Sequence, residues 1–184
     1  MAVANSTPLI YLVKLGKLDL VVRLFGRILI PEAVYREVVV RGEEAGHPEA
    51  QAVGALIGTG KVVVERAEPI SIPSARAGIH PGEAEAISLA LDRGLPLLVD
   101  DRPAYLVARA AGVRVVRTVR LLLDLLEAGL IDLSQFRANL GNLSRAGFWL
   151  TADVYDRALR EAERISREAD WKGVKGEAPR DKEK

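Results

Sequence analysis

LPLLVDD, residues 95–101, is a short aliphatic run that stops on two adjacent aspartates. Leu97 to Val99 have the length and composition of a strand buried on both faces, and such strands belong to parallel sheets covered by helices. Asp100 and Asp101 follow at its carboxyl end, where a carboxylate close to a core needs a partner or a purpose.

The flanking sequence supports the strand. GEAEAISLALDRG (82–94) has helical spacing of Ala, Ile and Leu and a glycine stop at Gly94. After the aspartates comes a helix over 102–111 and a further strand, VRVVR (113–117). Working toward the N-terminus, AVA (2–4), RILIP (27–31) and KVVVE (61–65) complete a set of about five short strands. PLIYLVKLG and LDLVVRLFG read as short helices closed by Gly16 and Gly26, and helices are predicted over 32–41 and 49–58. Toward the C-terminus they are predicted over 119–128, 132–145 and 151–169, the last with Thr151 as N-cap and a stripe of Val154, Ala158, Ala162 and Ile165. Strands alternating with helices in this way specify an α/β fold with a central, mainly parallel sheet.

Residues 66–81, with Pro69, Pro73 and Pro81, read as a loop leading into the helix at 82. Length and composition ask for one domain, assigned to residues 1–169. Residues 170–184 form a charged tail whose last part, GVKGEAPRDKEK, is predicted to be disordered.

Composition excludes several classes of function. Lys and Arg total 26 against 25 Asp and Glu, so the net charge of +1 offers no global attraction for a polyanion, and such a partner needs a local basic patch. The absence of cysteine removes disulfides, thiolate metal sites and thiol nucleophiles, and suits a reducing, cytoplasmic setting. MAVANSTPLIYLVKLGKLDL is interrupted by Asn5, Lys14, Lys17 and Asp19, so it reads as the first structural element rather than a signal or membrane span. His47 and His80 each precede a proline with no second histidine at ligand spacing, and neither makes a metal site.

In an open parallel sheet, ligands collect outside the carboxyl ends of the strands. Asn5 and Ser6 follow the first strand, Asp100 and Asp101 the fourth, and Thr118 the fifth. Glu83 is four residues before Ile87 on the sheet-facing stripe of its helix, while Glu85 points elsewhere. Glu37, between Val34 and Val38, sits on or beside the buried face of its own helix. Glu37, Glu83 and Asp100 therefore offer three inward-biased acids from distant stretches. Oxygen donors without His or Cys suit a hard cation, Mg²⁺ or Mn²⁺; without one the acids would raise one another's pKa.

The order NSTPLIYLVKLGKLDLVVRLFGRILIPEAVYREV, then HPGEAEAISLALDRGLPLLVDDRPAYLVARAAGVRVV, resembles a PIN domain of the small prokaryotic kind, related to ribonuclease toxins of toxin–antitoxin pairs. The resemblance covers about residues 3 to 165 and rests on several motifs in order. It implies a three-layer α/β/α sandwich, a metal-dependent ribonuclease centre, RNA as substrate and an antitoxin as partner. Carried over, the family's acids fall at Asn5, Glu37, Glu83 and Asp100, with Asp101 beside the last. Asn5 departs from the pattern, because most active PIN nucleases have aspartate there, and an amide oxygen brings no negative charge.

Other roles compete for each residue. Asp100 could be a turn residue, Asp101 an N-cap before Pro103, Glu83 a first-turn acid favourable to the helix dipole, and Asn5 a cap on the turn into Ser6. Ser6 and Thr118 carry hydroxyls able to position a metal-bound water, and both also begin helices. Arg102, Arg109, Arg114, Arg117 and Arg120 flank the same edge and either grip RNA phosphates or form a solvated face; Arg102, Arg117 and Arg120 are the RNA-binding candidates. The expected activity is a Mg²⁺- or Mn²⁺-dependent endoribonuclease, with a catalytically weak module binding RNA or a partner protein as the alternative. A receiver- or phosphatase-like protein is disfavoured, since no aspartate follows the first strand. Apolar helices at both chain ends further suggest a homodimer.

Overall fold

A computed structural model describes residues 1–67 and 78–176, with residues 170 and 172–176 described by their backbone alone. The expected loop at 66–81 falls mostly outside these residues, as does the end of the expected tail, 177–184.

Five strands are present: β1 (Ala2–Ala4), β2 (Ile28–Pro31), β3 (Val62–Glu65), β4 (Leu97–Leu98) and β5 (Val115–Val116). They form one sheet in the order β3-β2-β1-β4-β5, and every neighbouring pair is parallel. Register sets the two faces. Val3 lies beside Leu29 and Leu97, Leu29 beside Val63, and Leu97 beside Val115. These residues share one face with the cluster formed by Ala84, Ile87, Ala104 and Ala108. The alternate residues, Ala2, Ala4, Ile28, Ile30 and Leu98, are fully buried on the other face. Covering both faces requires helices on both sides, which makes the three-layer α/β/α fold expected from the resemblance.

The helices of the first part of the chain are α1 (Ser6–Lys14), α2 (Leu18–Phe25), α3 (Glu32–Tyr35), α4 (Arg41–Glu44), α5 (Pro48–Gly58), α6 (Pro81–Arg93) and α7 (Arg102–Ala110). Between α3 and α4 the chain runs through a π-helical turn, Arg36–Val40. α6 ends as its sequence requires, on Gly94 in the left-handed conformation (φ 62°), where a side chain would be strained. α8 (Thr118–Glu127), α9 (Leu133–Arg145) and α10 (Ala152–Gly176) follow β5.

The chain divides into two compact units, Met1–Leu121 and Leu122–Lys184. In the second, Thr151 Oγ1 accepts from the Val154 N–H at 3.3 Å, and Ala158, Ala162 and Ile165 are buried as the periodicity predicted. α10 continues past residue 169 to Gly176. β4 and β5 are shorter than the predicted LPLLVDD and VRVVR segments, although the Val99 N–H still reaches the Val116 carbonyl at 3.2 Å. No described helix is long and apolar enough to cross a membrane.

Candidate functional site

Chain order reverses between β1 and β4, and the crevice outside the carboxyl ends of strands at such a switch point is where open α/β sheets bind ligands. Asn5 leaves β1 there, its N–H bonded to the Leu98 carbonyl at 3.0 Å, and Asp100 leaves β4. Both expected positions therefore lie on one edge.

Asn5 is buried and caps α1: its backbone is extended (φ −85°, ψ 170°) and its Oδ1 accepts the Ser6 N–H at 2.7 Å. The cap anticipated for Asn5 is thus formed. Ser6, also buried, donates from its hydroxyl to Glu37 Oε2 at 2.8 Å. This bond joins the first helix to the π-helical turn that carries Glu37. Val34, Val38 and Val39 are buried along this stretch, and Glu37 lies beside them, exposed at the edge rather than on the buried face.

Glu83 comes from the first turn of α6, where Pro81 fixes the helix start. Its Oε2 accepts the His80 N–H at 2.8 Å. The residue is buried, and desolvation raises its pKa; the His80 bond pulls it down, while the negative charges of Asp101 and Glu37 push it up. Glu37, Glu83 and Asp101, distant in sequence, therefore share one electrostatic neighbourhood.

Asp100 is arranged differently. Oδ1 accepts the Thr118 N–H at 2.9 Å and Oδ2 accepts the Thr118 hydroxyl at 2.6 Å. Burial raises its pKa, against the lowering effects of the two Thr118 bonds and of Arg117. Thr118 itself is fully buried, so this pairing is sheltered from water. Asp101 caps α7, accepting the Ala104 N–H at 2.9 Å.

Sequence reasoning missed three features. Glu85 reaches across to accept the Ala33 N–H at 3.0 Å, satisfying a donor at the start of α3. A Cβ at Gly82 would stand 3.7 Å from Glu37 Oε2 and 3.5 Å from Val34 Cγ2, so the start of α6 packs at ordinary contact distance against the helix bearing Glu37. The Tyr105 ring lies under the Arg117 guanidinium, 5.3 Å from it. Tyr105 sits one helical turn beyond Asp101, a spacing that could have drawn attention to it; the other two are long-range contacts with no local signal. Arg102, Arg109, Arg114, Arg117 and Arg120 are all exposed.

The donors at this edge are all oxygens, the chemistry that suits a hard divalent cation. Among the described residues, no group of three or more His, Cys, Asp or Glu stands close enough to hold a metal ion. A family model described as a PIN domain matches residues 1–164. No curated protein matches the chain.

Proposed function

The chain belongs to the PIN-domain family, and from that premise we propose that it is a divalent-metal-dependent endoribonuclease acting at the carboxyl edge between β1 and β4. The observation that supports this proposal is a carboxylate buried at the switch point of the sheet: Glu83 is buried there, desolvation raises its pKa, and Asp101 and Glu37 add smaller like-charge contributions. Three acids drawn to one place repel, and a cation would relieve that cost. Asn5, Glu37, Glu83, Asp100 and Asp101 are the residues that would hold Mg²⁺ or Mn²⁺, with Glu37, Glu83, Asp100 and Asn5 forming the catalytic set. Bound there, the ion supplies positive charge against the phosphodiester and a more acidic water. Ser6 orients Glu37, Thr118 orients Asp100, and Arg102, Arg117 and Arg120 draw in RNA phosphates. The protein is the toxin of a toxin–antitoxin pair, working in the cytoplasm as a homodimer; a monomeric mass by light scattering at micromolar concentration would remove the dimer.

One observation favours a second reading, a catalytically weak module that binds RNA or a partner protein. Asn5 spends its amide oxygen on the Ser6 N–H and adds no charge, and among the described residues no three acids are already gathered as a metal-holding group. Calorimetric titration of Mn²⁺ into wild type, Asn5→Asp and Asp100→Asn separates the two. Because Asp caps as well as Asn, Asn5→Asp keeps the cap and adds a carboxylate. Under the nuclease reading it binds Mn²⁺ about tenfold tighter, equivalent to about 1.4 kcal/mol, and Asp100→Asn binds more weakly. Equal affinity in all three proteins, with no cleavage of a labelled RNA, leaves the binding module.

A further inference from the structure

Arg117 differs from the other arginines around the candidate site. Its Nη2 donates to the Asp100 backbone carbonyl at 2.7 Å, and its guanidinium stacks over the Tyr105 ring with 5.3 Å to the centroid. Two contacts from separate elements, β4's end and α7, therefore hold a side chain whose residue is exposed.

It is held without a salt bridge among the described residues, although its charge is felt by Asp100. The Asp100 carboxylate is turned to Thr118 through both oxygens, and among the described residues Arg117 has no ion-pair partner. Arg93, by contrast, is paired with Glu65 at 2.6 Å and Arg137 with Glu163 at 2.7 Å. Lys14 also lies over an aromatic ring, that of Tyr11, but it faces Glu49 at 3.8 Å. The side chains of Arg102, Arg109 and Arg114 are exposed and make no hydrogen bond, ion pair or ring contact among the described residues. They carry charge without a set direction.

A guanidinium presents five N–H donors in a planar fork suited to phosphate oxygens, and fixing its plane in advance reduces the freedom lost on binding. One donor is used on the Asp100 carbonyl and one face rests on Tyr105. The remaining donors are left for an anion arriving from solvent at the sheet's carboxyl edge.

We propose that Arg117 grips a backbone phosphate of single-stranded RNA beside the candidate site, and that Tyr105 is its positioning residue; the inference rests on RNA being the substrate. Arg117 is thereby distinguished from Arg102, Arg109 and Arg114, which add only diffuse attraction.

The test is fluorescence anisotropy of a short labelled single-stranded RNA in EDTA, which reads binding apart from any cleavage, over a series of salt concentrations. Arg117→Gln should weaken binding about tenfold and lower the slope of log affinity against log salt by about 0.7, the loss of one phosphate contact on a single strand. Tyr105→Leu should lose several-fold in affinity, and Tyr105→Phe, which keeps the ring, should bind like wild type. Arg102→Gln should cost less than Arg117→Gln. Thermal melts by circular dichroism establish that each variant is folded. A normal salt slope for Arg117→Gln, or equal losses for Arg117→Gln and Arg102→Gln, overturns the proposal while RNA binding stands. Equal losses for Tyr105→Leu and Tyr105→Phe overturn the positioning role. If wild type binds no RNA, the ribonuclease reading fails and this proposal fails with it.

Discussion

Asp100 and Glu83 stand at the same edge of the sheet, and burial raises the pKa of both. Their surroundings then diverge. Asp100 has a matched partner, Thr118, which donates to each of its oxygens. Glu83 receives one backbone donor, from His80, and faces the like charges of Asp101 and Glu37, partly opposed by the charge of His80. One carboxylate is locked by hydrogen bonds; the other is held under electrostatic strain. The Thr118 bonds offset part of the cost of burying Asp100, whereas Glu83, with less hydrogen bonding, has more free energy to gain from a positive partner.

The largest effect is expected from breaking the lock. Thr118→Val preserves volume in a fully buried position but removes the hydroxyl that serves Asp100 Oδ2. A hydrogen bond to a charged group is worth about 1.5–3 kcal/mol, so urea unfolding near neutral pH should show a loss of about 2 kcal/mol. A loss below about 0.5 kcal/mol would mean that water replaces the hydroxyl and that Asp100 is not locked.

Glu83→Gln should move stability the other way. The amide retains an oxygen for the His80 N–H and removes a charge that Asp101 and Glu37 repel. Near neutral pH the variant should gain on the order of 1 kcal/mol. The pH dependence follows from the direction of the shift. A raised pKa means that the folded protein holds the Glu83 proton at pH values where the unfolded chain has released it, so stability falls as pH rises through the interval above the ordinary carboxylate range. Melting temperatures collected across that interval should decline less steeply for Glu83→Gln than for wild type. A destabilised variant would show instead that a cation, protein or metal, already compensates Glu83.

Gly82→Ala should have the smallest effect. Its Cβ would meet Val34 and Glu37 at ordinary contact distances, 3.5 and 3.7 Å. Alanine's helical preference should therefore yield a gain of about 0.5 kcal/mol by thermal melting. Destabilisation beyond about 1 kcal/mol would show that α6 and the helix bearing Glu37 are closer-fitting than these distances imply.

The lock and the strained acid differ in how far each was legible beforehand. Glu83 is legible as the opening of α6, although the helix begins at Pro81, one residue earlier than predicted, and the Asp101-Arg102-Pro103 run reads as an N-cap that the structure forms. These features are local, made of residues within one turn of each other. The Thr118 lock on Asp100 spans 18 residues, and it exists because β4 and β5 are neighbours in the sheet. From the sequence Thr118 reads as a helix-starting residue or a hydroxyl for a metal-bound water, with nothing to pair it with Asp100. Glu37 shows the limit from another side: helical spacing puts it on or beside the buried face, the structure leaves it exposed beside that face, and nothing in REVVV announces the π-helical turn that carries it.

By itself the sequence determined the alternation of strands and helices, and the placing of acids at strand and helix ends. Those follow from periodicity and capping, which act over a few residues. Tertiary structure decided the order β3-β2-β1-β4-β5, and with it the neighbours each acid meets: Ser6 for Glu37, Thr118 for Asp100, Glu37 and Asp101 for Glu83. It also decided that Arg117 should rest on Tyr105 and the Asp100 carbonyl. The physical reason is range. A hydrogen bond or a charge interaction acts over a few ångströms of space, and only the packed sheet brings residues so far apart in the chain within that distance.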